Sequence, residues 1–195
     1  MRLLDKLRHK LIVSCQAEEG FPLNQPHHLA ALAATTAMGG ASAIRASDPE
    51  NILKIRESVD LPIIGIYKKD YSGFAMKITP TMAEVMAIVE TGVEMIAIDA
   101  TSRPRPDGKS LEEFIAEIKK RTDILIMADV STLEEGIQAM RFGCDVVSTT
   151  LSGYTPYSSQ SDDPDIQLIR DLTRELDVPI FAEGRISSPD DVRAA

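Results

Sequence analysis

The sequence is short of cysteine, with only Cys15 and Cys144 in 195 residues. That density excludes the disulfide framework of small secreted domains and fits a reducing compartment, so the expected location is the cytoplasm. Both cysteines lie in or beside apolar runs, where a cysteine reads as a small buried hydrophobe; a nucleophilic Cys15 is the functional alternative. Long apolar stretches are missing too. None approaches the ~20 residues of a membrane-spanning helix. Met1 to Lys10 alternates charge with leucine and lacks the apolar centre of a signal peptide. No membrane partner is expected. Positive charge is in deficit: Asp and Glu outnumber Lys and Arg by 30 to 21, for a net charge of −9. A general nucleic-acid or acidic-membrane surface is therefore not expected, and an anionic substrate has to be met by local cations. The turn after the first apolar run, Cys15 to Gly20, has no G-x-G-x-x-G, which argues against a dinucleotide-binding open sheet. With no linker and no low-complexity tract, residues 1–195 read as one domain.

What is present is a regular alternation. Short, β-branched apolar runs read as strands buried on both faces: Leu11 to Gln16, Ala41 to Arg45, Pro62 to Lys68, Met95 to Asp99, Ile124 to Asp129, Asp145 to Thr149 and Pro179 to Glu183. Helix signals fall between them. His28 to Met38 is rich in Ala and Leu and stops at Gly39-Gly40. Asp48-Pro49, Asp163-Pro164 and Ser188-Pro189 put a cap residue before a proline at the first helical position. Thr81 to Glu84, Ser110 to Glu113 and Ser131 to Glu134 have the capping-box pattern. Gly92 and Gly143 stand where helices end. Strand ends recur at about the spacing of a (β/α)8 TIM barrel. Six of the runs end in a polar or charged residue: Gln16, Arg45, Lys68, Asp99, Asp129 and Glu183. The seventh, at Thr149, opens into a hydroxyl-rich loop. Unlike polar groups at successive strand ends are how such a barrel builds its active site. Seven strands are recognisable, and the seventh helix breaks off at Ala194-Ala195. The fold expected is α/β, a TIM barrel truncated after strand seven and the start of helix seven. The two edges left unpaired would favour aggregation or strand exchange into a homodimer.

Several of these segments coincide, in order, with one family. Leu11-Ile-Val-Ser-Cys-Gln16, Gly40-Ala-Ser-Ala-Ile-Arg45, Pro62-Ile-Ile-Gly-Ile-Tyr-Lys68 and Met95 to Thr101 are followed by Met127 to Gly136, Ser148 to Tyr157 and Ala182-Glu-Gly-Arg-Ile186. Together they closely resemble the N-acetylmannosamine-6-phosphate 2-epimerases, bacterial enzymes of sialic acid catabolism. The resemblance implies a phosphate-binding barrel that needs no metal and no organic cofactor. It implies a phosphorylated N-acetylhexosamine as partner, with N-acetylmannosamine 6-phosphate and N-acetylglucosamine 6-phosphate interconverted. It also implies roles: Lys68 as catalytic base, Glu183 as its acidic partner, and Gln16, Arg45 and Asp129 holding the sugar. The family's Gly-rich turn and arginine that bind phosphate, on a C-terminal strand, have no match in this sequence, so phosphate affinity is expected to be poor.

Epimerisation at C2 asks for a base at that carbon, acid–base help for ring opening and donors near a developing oxyanion. A base lysine has to be neutral, and burial or neighbouring cations such as Arg45 or Lys69 would favour that. Alternation puts Ile64, Ile66 and Lys68 on one face. Glu183 suits proton exchange with O5 or O1, or orientation of the lysine. Its structural alternative is an ion pair with Arg185 or Lys68. Gly184 lets backbone N–H groups approach an anion, and Arg185 is a candidate for binding it. Gln16 both donates and accepts; Arg45 offers a planar fork, or an ion pair with Asp48. Asp129 suits sugar hydroxyls or the acetamide, and Asp99 suits organising Arg103 or Arg105. Mg²⁺ between Asp99 and Asp129 is the weaker alternative. The loop from Leu151 to Asp163 is either a cover over bound sugar or a packed Ω-loop. Two other readings stay open. One is a different phosphate-binding barrel isomerase or aldolase; the other is a catalytically silent fragment or interaction subunit.

Overall fold

The computed structural model describes residues 3–195. Met1 and Arg2, which open the segment read for a leader, lie outside the described residues. Helix α1 (Leu3–Leu7) precedes the first strand and has no counterpart in the sequence reading. Strands and helices then alternate: β1 (Ile12–Cys15), α2 (Pro26–Met38), β2 (Ala43–Ser47), α3 (Pro49–Arg56), β3 (Ile63–Ile66), α4 (Met82–Val89), β4 (Met95–Asp99), α5 (Leu111–Arg121), β5 (Leu125–Asp129), α6 (Leu133–Phe142), β6 (Val146–Ser148), α7 (Ile166–Glu175), β7 (Ile180–Phe181) and α8 (Pro189–Ala194). The chain gathers into two compact units, one of residues up to Asp70 with Lys77–Ala97, the other of Tyr71–Met76 with Ile98–Ala195. Among the described residues, no helix is long and apolar enough to cross a membrane.

In the first unit β1, β2, β3 and the start of β4 lie side by side and parallel. Their register runs Ser14 to Arg45, Arg45 to Ile64 and Ile64 to Met95. Every residue of β2 and β3 is buried, as strands covered on both faces must be. Gly65 marks where a helix comes closest. A Cβ there would lie 2.5 Å from Ile88 Cγ2 of α4, 3.1 Å from Val93 and 3.3 Å from Ile52. Thr81 caps α4 by the expected reciprocal pair, accepting from Ala83 N while its own N–H donates to Glu84.

In the second unit β5, β6 and β7 are parallel neighbours, with Asp129 opposite Ser148 and Ser148 opposite Phe181. Ser110 and Glu113 form the expected capping box of α5; Ser188, expected as a cap, forms a capping box with Asp191 at α8. Gly143, left-handed at φ 103°, closes α6 as expected. Two caps differ from the sequence reading. Thr132, not Ser131, caps α6, accepting from Glu135 N; Ser131 instead donates through N and Oγ to the Glu135 carboxylate, at 2.8 and 2.7 Å. Asp165, not Asp163, caps α7 by accepting from Leu168 N at 3.0 Å. Strand β7 is shorter than expected, because Thr149 ends its ladder. The Thr149 hydroxyl donates to Glu183 O (2.8 Å) and accepts from Glu183 N (3.1 Å), so a side chain binds this backbone in place of a strand partner.

Candidate active site

The residues singled out from the sequence fall into two sets, one in each unit. In the first unit, Gln16 lies one residue beyond β1 and its Nε2 donates to Ser14 Oγ at 2.6 Å. Its Oε1 is buried and accepts no hydrogen bond among the described residues. Ser14 is the register partner of Arg45, so Gln16 follows the strand that neighbours Arg45's own. Arg45 is 3% exposed. It lies inside β2, not at its end, because the ladder to β3 continues to Ser47. The polar end of β2 is therefore Ser47-Asp48. Asp48 has φ 73° and ψ 134°, an unfavourable region for a residue with a Cβ, and its N–H donates to Ile66 O at 3.0 Å. Burial pushes its carboxyl up, opposed by the Ser47 hydroxyl and by the positive charge of Lys68.

Lys68 departs most from expectation. β3 stops at Ile66, so strict alternation does not carry to Lys68, and its side chain is exposed. The lysine stands instead on a short antiparallel ribbon. It bridges Ile78, Lys69 N donates to Lys77 O (3.0 Å), and Thr79 N donates to Tyr67 O (2.8 Å). The ribbon hangs from the Thr79 hydroxyl, which accepts from Tyr67 N at 3.2 Å and donates to Ala97 O at 2.7 Å. The positive charge of Lys68 reaches the Asp48 carboxyl.

In the second unit Asp129, 0% exposed, ends β5. Glu183 stands two residues past β7. One hydroxyl joins them: Thr150 Oγ1 lies 2.9 Å from Asp129 Oδ1 and 3.0 Å from Glu183 Oε2, with Ser148 Oγ at 2.8 Å. Gly184 follows at φ 103° and Arg185 at φ 56°. Arg185 donates to Ser152 O (2.7 Å) and Gly153 O (3.3 Å), and its guanidinium stacks over the Tyr154 ring at 4.6 Å. It also borders an open polar hollow with Gln160, Ser161 and Asp162. The loop after β6 packs on its own unit. Thr155 Oγ1 donates to Ser131 Oγ, Tyr157 OH to Glu135 Oε1, and Gln160 Nε2 to the Thr155 and Ser158 carbonyls. That is the bonding of a packed Ω-loop.

Asp99 serves its own loop, as expected. It accepts from Thr101 N and Oγ1 and from Arg103 Nη2 (2.6 Å), while its carbonyl accepts from Arg105. Burial pushes its carboxyl up against the opposing pull of Arg103. Arg105 lies over the Phe114 ring, and burial brings its guanidinium down to about 10. Cys15 is fully buried with its thiol pushed up by burial, which suits packing and not nucleophilic attack. Among the described residues no group of three or more His, Cys, Asp or Glu is placed to hold a metal ion. Thr79 and Thr150 were not singled out from the sequence, and Asp48 was expected only as a helix cap and as a partner for Arg45. The hydroxyl run after β6 was the available signal for Thr150, but nothing in it distinguished Thr150 from Thr149 or Ser152.

Comparison with known proteins gives a consistent result. Residues 29–195 match the family model NanE, described as "Putative N-acetylmannosamine-6-phosphate epimerase". A protein of Caldanaerobacter subterraneus subsp. tengcongensis named "Putative N-acetylmannosamine-6-phosphate 2-epimerase" is 50% identical over 98% of this chain and 81% of its own length. A protein of the same name from Clostridioides difficile is 45% identical over 98% of this chain and 85% of its own length. Among solved structures, the N-acetylmannosamine-6-phosphate 2-epimerase from Clostridium perfringens superposes with a TM-score of 0.95 at 44% identity, covering 99% of this chain and 84% of that one. The fold is accordingly the α/β TIM-barrel class, with seven parallel strands among the described residues. The thiamine phosphate pyrophosphorylase of Pyrococcus furiosus shares the fold alone, with a TM-score of 0.58 at 15% identity over 93% of this chain and 78% of that one.

Proposed function

The chain belongs to the NanE family of N-acetylmannosamine-6-phosphate epimerases, isomerases by reaction class, and from that premise we propose that it interconverts N-acetylmannosamine 6-phosphate and N-acetylglucosamine 6-phosphate by moving the proton on C2. The geometric observation that carries the acid–base part is the joining of Asp129 and Glu183 on the single hydroxyl of Thr150.

The sequence of steps follows from the chemistry. The pyranose opens when the O1–H proton is taken by a base, the C1–O5 bond breaks, its electron pair stays on O5, and O5 receives a proton. Glu183 is the group assigned to that exchange, with Asp129 holding neighbouring hydroxyls or the acetamide. In the open form C1 is an aldehyde, so the C2 proton is acidified. The neutral amine of Lys68 removes it. The C–H electron pair becomes the C1–C2 double bond, and the carbonyl pair moves to O1. Arg45, a fixed planar donor, suits the charge developing there. The O1 pair re-forms the carbonyl as a proton reaches C2 on the opposite face. That proton is delivered either by the Lys68 ammonium after the intermediate turns about its C2–C3 bond or by a second acid on that face. Ring closure reverses the first steps. Gln16, with an acceptor still open among the described residues, suits a sugar hydroxyl or amide N–H. Gly184 and Arg185 are the candidates for an anionic group of the substrate. Lys68 is exposed, and it is the bound sugar that would take its amine out of water.

The test is turnover. The purified chain should convert N-acetylmannosamine 6-phosphate, and Lys68→Ala should lower the rate by ~10² to 10⁴ while leaving the far-UV circular dichroism unchanged. Substantial turnover in the folded Lys68→Ala protein would remove Lys68 from the base role. Trapping of substrate on the protein by borohydride would mark Schiff-base chemistry and favour the aldolase reading instead.

A further inference from the structure

Thr150 has three oxygen neighbours and one hydrogen. Ser148 Oγ lies at 2.8 Å, Asp129 Oδ1 at 2.9 Å and Glu183 Oε2 at 3.0 Å. A hydroxyl offers one O–H donor and two acceptor lone pairs, and an ionised carboxylate can only accept. If Ser148 donates to Thr150, the Thr150 hydrogen serves one carboxylate. The other carboxylate then makes a hydrogen bond to Thr150 only by donating one, that is, by carrying a proton. All three contacts are hydrogen bonds together once the pair of carboxylates has gained one proton.

From this count we propose that Thr150 is a positioning residue of the reaction: its hydroxyl couples Asp129 to Glu183, so that a proton gained or lost by Glu183 is answered by a turn of the hydroxyl. With both carboxylates ionised, the Thr150 hydrogen points to Glu183. When Glu183 takes the O1–H proton of the sugar, its carboxyl O–H can donate to Thr150 Oγ1, and the Thr150 hydrogen turns to Asp129. Delivery of the proton to O5 returns the hydroxyl to its first orientation. No atom is gained or lost at Thr150, and both protonation states of Glu183 keep a hydrogen bond of good length. The backbone is suited to this. Glu183 N and O are held by Thr149, the residue next to Thr150, and Ser148 stands opposite Asp129 in the β5–β6 register. One tripeptide, Ser148-Thr149-Thr150, thus sets the spacing of two carboxylates that come from different strand ends. The inference rests on the function proposed above.

The experiment compares the wild-type chain with Thr150→Val, Thr150→Ala and Thr150→Ser on N-acetylmannosamine 6-phosphate, with circular dichroism and thermal unfolding run on each. Loss of the hydroxyl should lower kcat on the order of 10²-fold with little change in KM, because it misplaces reacting groups without removing a substrate contact. Thr150→Ser, which keeps the hydroxyl, should restore most of kcat. Thr150→Ala places no methyl against the two carboxylates and covers the case in which valine does not fold. Wild-type kcat in a folded Thr150→Val or Thr150→Ala protein would overturn the inference and leave the proposed function standing. An equally low kcat in Thr150→Ser and Thr150→Ala would overturn it as well, since the hydroxyl would then not be what matters. A wild-type chain without turnover would overturn the proposed function, and this inference with it.

Discussion

Replacing Thr79 by valine should loosen the ribbon that carries Lys68. Thr79 is 0% exposed and holds φ 44°, a costly value for a β-branched residue, so its surroundings have to impose the conformation. Its hydroxyl accepts from Tyr67 N at 3.2 Å and donates to Ala97 O at 2.7 Å. Valine has nearly the same shape and neither bond. Each buried polar group left without a partner costs about 1–3 kcal/mol. Ala97 is fully buried, so its carbonyl stands near the upper figure, while half-buried Tyr67 can regain water at its N–H. The expected loss is about 2–4 kcal/mol, or a fall in Tm of roughly 5–15 °C for a chain of this size. Urea unfolding followed by circular dichroism measures it. Thr79→Ser keeps both bonds and should lose far less. Because Lys68 lies between Tyr67 and the Ile78 bridge, folded Thr79→Val protein should also show a lower kcat. A midpoint within about 0.5 kcal/mol of wild type would refute the claim that Thr79 holds the ribbon.

Gly65→Ala should destabilise by about 1–3 kcal/mol, because the new methyl would stand 2.5 Å from Ile88 Cγ2 in a closed core; an unchanged Tm would contradict that packing. Asp99→Asn tests a pH dependence. Burial raises the Asp99 carboxyl in the folded chain, so its titration contributes most to stability below the unfolded value of about 3.9 and that contribution is lost as pH rises through the raised native value. The wild-type stability relative to Asp99→Asn should therefore fall with rising pH across that window and then level off, as read by urea titrations at several pH values; a difference that grows with pH would contradict it.

Much of this fold is legible in the sequence because its signals are local. A reciprocal cap such as Thr81 with Glu84 spans four residues, and a buried strand such as Met95 to Asp99 is a continuous apolar run. The errors come where two local solutions compete. Ser131-Thr132-Leu133-Glu134-Glu135 allows either hydroxyl to cap and either glutamate to answer; Ser102 N–H and Tyr157 OH, both distant in sequence, also bond Glu135, and α6 begins one residue later than expected. Asp163-Pro164-Asp165 poses the same choice at α7. At Arg45 an apolar run ended in the reading, but the ladder to Ile64 and Ile66 continued the strand to Ser47. At Lys68 the strand ends two residues earlier than the apolar run suggests, and a partner 10 residues along the chain sets the backbone. The candidate site was legible as residue types at strand ends. The joining of Asp129 and Glu183 through Thr150 was not, since it depends on a side-chain oxygen meeting groups 21 and 33 residues away.

The central claim is that this chain moves the proton on C2 of an N-acetylhexosamine 6-phosphate through Lys68. The most direct measurement is the reaction of N-acetylmannosamine 6-phosphate in deuterated water, followed by proton NMR. An amine that takes the C2 proton exchanges it with solvent at least in part, so N-acetylglucosamine 6-phosphate formed by the wild-type chain should carry deuterium at C2, and Lys68→Ala should abolish both product and exchange. Product that retains protium completely at C2, or deuterium uptake undiminished in Lys68→Ala, would contradict the claim.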